Sequence, residues 1–166
     1  MANKADFSGE EWQQVVGGMF MAGVAVSAAD PSGLWGMLKE SFASGRTLLE
    51  AKSTAADNTL VKAIIADLES SEGRSDAQAF VKQRLQGAKA DDLKQRAIEA
   101  VRAAAALVEQ KAPLEATAYK GWLLKIASSV AEASKEGGFL GFGGIAVSDA
   151  ERATLAELTA ALETRA

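Results

Sequence analysis

Apolar positions repeat with helical period along almost the whole chain. Ser8 and Glu11 stand in the S-x-x-E spacing of a capping box, with Phe7 and Trp12 placed as a hydrophobic staple around it. From there to about residue 29 the chain is apolar nearly all round, which predicts a helix surrounded by its neighbours. Gly17, Gly18 and Gly23, among alanines, would let other helices approach it closely. Asp30 and Pro31 supply an N-cap and an N1 proline for a second helix to about residue 52. Leu34, Trp35, Leu38, Phe42, Gly45, Leu48 and Leu49 mark its apolar face.

Asp57 or Asn58 then caps a short third helix bearing Leu60, Val61, Ile64, Ile65 and Leu68, which Ser70-Ser71-Glu72-Gly73 breaks. A fourth carries Phe80, Val81 and Leu85 and stops at Gly87. The fifth covers about residues 91–111, acidic at its start and ending on Lys111, as the helix dipole favours. Pro113 opens a sixth with Tyr119, Trp122, Leu123, Ile126 and Val130 on its apolar side. Ser148 and Glu151 form a second capping box and start a last helix with Leu155, Leu158 and Leu162. Strand alternation is confined to the short run Ile145-Ala146-Val147. The expectation is an all-α, single-domain bundle of about seven helices over residues 1–166. Small residues recur at the ends of the two long helices, around Val24–Asp30 and Val130–Glu136. Each is followed by a glycine-containing turn, so a duplicated helix–loop–helix with a pseudo-twofold axis is one reading of the pattern.

Composition narrows the chemistry. The chain of 166 residues has no cysteine and no histidine. That removes disulfides, thiolate nucleophiles and zinc–thiolate sites, together with the commonest general base and transition-metal ligand. A net charge of -4, with basic residues dispersed among acids, argues against nucleic acid as a partner. The apolar run 15–26 is shorter than the roughly 20 residues that span a bilayer. Lys4 before it is outweighed by Asp6, Glu10 and Glu11, opposite to a secretory leader. A buried central helix is expected there, in a cytoplasmic protein without a transmembrane segment.

Motif by motif, catalysis finds little purchase. Gly141-x-Gly143-x-x-Ala146 matches a loose dinucleotide fingerprint, but a helix precedes it where a buried strand is required. No lysine follows it as a phosphate loop would need. Asp30, Glu40, Glu136, Asp149 and Glu151 lack calcium-loop spacing, and Asp30 and Glu151 are explained as helix caps. Ser128-Ser129 has no nucleophile elbow around it. No catalytic residue, cofactor or metal is therefore expected, and the chain reads as non-enzymatic.

Two surfaces remain as candidates. The segment 137–147 is rich in glycine and uncharged, and it carries Phe139, Leu140, Phe142 and Ile145. Either those side chains fold back onto the bundle, or they stay exposed as a docking patch for a protein partner or a second copy in a homodimer. Trp12, Phe20, Trp35 and Trp122, large rings beside small residues, could instead line a pocket for a small apolar ligand or lipid between helices. With Tyr119, the tryptophans read first as core anchors whose N–H groups need partners.

The run Gly144-Ile145-Ala146-Val147-Ser148-Asp149-Ala150-Glu151 resembles the second half of a motif in the tellurite-resistance TerB-like helical family. Ala29-Asp30 with Gly33 is similar to its first half. In this chain a longer apolar loop replaces the family's compact acidic turn, and Lys135 or Glu136 stands where aspartate is expected. The resemblance implies an all-helical, acidic, cytoplasmic, stress-associated protein without demonstrated catalysis.

Overall fold

The computed structural model describes residues 2–29, 52, 58–136 and 147–163, apart from the side chains of residues 90, 91 and 133–136. The expected second helix, with Trp35, and the glycine-rich segment with Phe139, Leu140, Phe142 and Ile145 lie outside the described residues. So do the turns on which the duplicated-unit reading depends.

Among the described residues the fold is an all-helical bundle of six helices with no strand. They are α1 Gly9–Ala29, α2 Thr59–Glu69, α3 Ser71–Leu85, α4 Ala90–Lys111, α5 Pro113–Glu136 and α6 Asp149–Glu163. A 3-10 turn at Lys4–Asp6 precedes α1. The predicted starts form as the pattern requires. Ser8 Oγ accepts the Glu11 amide at 3.3 Å, and the Glu11 carboxylate takes the Ser8 amide at 2.7 Å. Phe7 and Trp12 meet with ring centroids 5.8 Å apart. The same reciprocal pair forms between Ser148 and Glu151, where the glutamate is buried. Asn58 is the N-cap of α2, its side chain accepting the Val61 amide.

The break after α2 is tighter than its polar residues suggest. Ser70 closes α2 and caps α3 at once, so Ser71, Glu72 and Gly73 are already helical. Gly73 is buried against the end of α2, where a Cβ would meet Asp67 carbonyl carbon at 2.7 Å.

Helix α1 is the axis of the bundle. Val15, Met19, Met21, Val24, Ala25 and Val26 have no exposed surface, and burial continues around the helix through Gly17, Gly18 and Gly23. Its most extensive neighbour is α4, with α3, α5 and α6 also packed on it. Lys111 pairs with Glu11 at 2.6 Å, and Ala104 lies beside Gly18, so α1 and α4 run antiparallel. Helix α5 turns back after Ala112 and places Tyr119 on α1. Two adjacent glycines make this crowding feasible. A Cβ on Gly17 would overlap the Phe80 ring, and one on Gly18 would sit 2.5 Å from the Tyr119 hydroxyl and 3.0 Å from the Ala104 Cβ. Alanine would be the better helix former at either position, by about 1 kcal/mol. Close packing of two aromatic neighbours takes precedence.

Candidate functional site

Two arrangements stand out: a polar corner around Asp67, and the outer face of α4. Asp67, near the end of α2, accepts from two sides. One oxygen takes the Trp12 indole N–H at 2.9 Å, and the other pairs with Lys4 Nζ at 2.7 Å. The Asp67 hydrogen bond holds the Lys4 ammonium above its ordinary pKa. Trp12 is almost wholly buried, so its N–H needs an internal acceptor, and Asp67 supplies one. Sequence reasoning foresaw that need but not the acceptor, because Trp12 and Asp67 are brought together only by the packing of α2 against the bundle.

Tyr119 occupies the next level. Its hydroxyl donates to the Val15 carbonyl at 2.6 Å, inside the turn where Gly18 leaves room. Complete burial pushes its pKa well up, so the ring is a neutral donor at any physiological pH. Trp122 is buried one turn further on, tilted against Tyr119 with centroids 6.2 Å apart. Phe20 is half-buried against the core. Trp12 and Trp122 are packed in the interior, Phe20 lies at its edge, and the space beside Gly17 and Gly18 is filled by Phe80 and Tyr119. Trp35, the fourth candidate of this set, is outside the described residues.

Other polar side chains are similarly spent on the fold. Asn58 Nδ2 donates to Glu115, tying the start of α2 to the start of α5. Lys120 pairs with Glu109, and Lys94 with Glu157 at 2.8 Å. Among the described residues, no buried side-chain nitrogen or oxygen lacks a partner. Nor does any group of three or more carboxylates there converge as a metal site would require.

The outer face of α4 differs. An open groove of about 580 Å³ is lined by Gln14 of α1 and by Ala103, Ala106, Leu107, Glu109 and Gln110 of α4. Ala103 and Gln110 are exposed, and Ala106 and Leu107 half-exposed. Past the helix end, Leu114 is 94% exposed, the large apolar side chain left in solvent among the described residues. The groove has an apolar floor of Ala103, Ala106 and Leu107 and a polar rim of Gln14, Glu109 and Gln110. Its chemistry suits contact with another surface. No signal in the sequence marked it, because Ala103 and Ala106 read as ordinary helix formers.

Comparison with protein-family models, with curated proteins and with solved structures finds no match to the chain. No helix among the described residues is long and apolar enough to cross a membrane.

Proposed function

We propose that this is a cytoplasmic, non-enzymatic helical interaction protein whose partner is a second copy of itself, docked through the outer face of α4. The observation that carries the reading is the open groove over Ala103, Ala106 and Leu107. Charge complementarity favours self-association. Arg102 and Glu109 lie about two turns apart on one side of α4. In an antiparallel, two-fold pairing centred between them, each Arg102 faces the Glu109 of the other copy, which already pairs with its own Lys120, so the contact adds a third charge to an existing pair. The alanines at the centre permit close approach of the two helices. The apolar floor is small, which places the contact in the weak, transient class of interface. A stress-associated role is proposed from the sequence resemblance of residues 144–151 to the TerB-like motif.

Sedimentation equilibrium from micromolar to millimolar concentration tests the proposal. The expected result is a concentration-dependent mass that falls to the monomer value in Ala106→Trp and weakens in Arg102→Glu. A strict monomer throughout the range overturns it, as does a dimer that neither substitution affects.

A further inference from the structure

We propose that residues 2–7 form a strap that opens from the bundle as a unit of its own, with the Asp67 carboxylate as its latch. The inference is independent of the α4 reading. Among the described residues, every backbone hydrogen bond of the strap is internal. Asp6 N–H donates to the Asn3 carbonyl at 3.1 Å and Phe7 N–H to the Lys4 carbonyl at 3.3 Å. Asn3 Oδ1 accepts the Ala5 amide, and Asp6 accepts the Asn3 amide. No backbone hydrogen bond of the bundle has to break for the strap to leave.

Among the described residues, three contacts hold it down. Lys4 pairs with Asp67, Phe7 packs on Trp12, and Ala2 is tucked into the core edge. The Lys4 side chain is 55% exposed and that of Asp67 16%, so the pair lies within reach of salt. Three carboxylates, those of Asp67, Glu72 and Asp76, act on Lys4 together. The strap reaches α1 through extended backbone at Phe7, which can serve as the hinge.

What remains after opening is a complete bundle. Asp67 has two oxygens with separate tasks, so losing Lys4 leaves the indole of Trp12 still held by the other. The Ser8–Glu11 capping box also stays in place. The change is confined to one spot, where the Trp12 ring becomes bare beside a freed carboxylate oxygen. That surface is complementary to a lysine followed by an aromatic, which is what the strap itself presents. The strap is thus an internal occupant of the site it covers.

The test is residue-resolved hydrogen exchange on the full chain, joined with fluorine NMR of 5-fluorotryptophan incorporated at all three tryptophans. Asp6 and Phe7 amides are expected to exchange far faster than those of Met19 and Met21. Lys4→Ala should speed them about two- to five-fold, the range for losing an exposed ion pair. Added salt should do the same to the wild type and little to the variant. Phe7→Ala should have the larger effect, more than about ten-fold, because most of the apolar cover is lost. In each case the Met19 and Met21 rates stay as they were, and the solvent-isotope shift of the Trp12 resonance grows. Exchange of Asp6 and Phe7 at the Met19 rate would overturn the proposal, since the strap would then leave only with global unfolding. So would an unchanged Trp12 resonance in both variants, which would reduce the opening to fraying of the 3-10 turn.

Discussion

Replacing Gly18 by alanine sets two known effects against each other. Helix propensity alone makes Gly→Ala in a helix interior favourable by about 1 kcal/mol. Packing opposes it. The new Cβ would lie 2.5 Å from the Tyr119 hydroxyl oxygen and 3.0 Å from the Ala104 Cβ. Neither neighbour is the free end of a flexible chain. The hydroxyl is fixed by its bond to Val15 and by a fully buried ring, and Ala104 is anchored by its own helix. Overpacking of this kind costs about 1–3 kcal/mol, and breaking the tyrosine hydrogen bond adds about 1 kcal/mol. The net expectation is a destabilisation of about 1–3 kcal/mol, opposite in sign to propensity. Tyr119→Phe alone should cost about 1 kcal/mol for the lost bond, and it also takes away the closest clash partner of a Cβ at position 18. The next ring atom, Cζ, is 3.7 Å from the Cβ position, an ordinary contact. In the Tyr119→Phe background, Gly18→Ala should therefore be cheaper by about 1 kcal/mol, a favourable coupling readable in a double-mutant cycle. Urea unfolding of the four proteins at equal slope measures it. A stabilising Gly18→Ala, or strict additivity of the two substitutions, would refute the reasoning.

Gly17→Ala brings a Cβ into overlap with Phe80 Cδ1, so it should lower stability by about 1–3 kcal/mol, and Phe80→Leu should recover part of that loss in thermal denaturation. The raised pKa of Tyr119 means that the unfolded chain ionises first as pH climbs. Stability should decline above the ordinary value of 10.0 by up to about 1.4 kcal/mol per pH unit, and the Tyr119→Phe protein should lack that component in urea titrations at pH 9 to 11. Lys111, and then the Ser8 amide, hold the Glu11 carboxyl below its ordinary 4.5. Its contribution is present above that value and fades as pH falls through the lower folded pKa. Glu11→Gln should flatten the acid limb of the stability profile, as followed by circular dichroism. Trp12→Phe leaves Asp67 with Lys4 alone; a loss of about 1–3 kcal/mol is expected in chemical unfolding, and Asp67→Asn, which can still accept the indole, should cost less.

Local sequence was sufficient for the helices because their signals are local. A capping box uses residues three apart, so Ser8 with Glu11 and Ser148 with Glu151 announced their helix starts without any knowledge of neighbours. The apolar run 15–26 likewise announced a central helix, since only burial on every side satisfies it. The same reading placed the small residues of α1 at close helix contacts, though not which rings fill the space beside them. Tertiary structure decided what the side chains touch. Trp12 finds Asp67 across 55 positions, and Tyr119 finds the Val15 carbonyl across 104. No spacing rule encodes such pairs, because they arise from the angle and register at which whole helices settle. The α4 groove and the strap belong to the same category. Ala103, Ala106 and Lys4 are unremarkable as letters in the chain, and acquire meaning only from what the fold leaves uncovered or lightly held. Periodicity determines which elements form and which face goes inward; packing of those faces, a long-range and cooperative choice, determines where a surface is left to act.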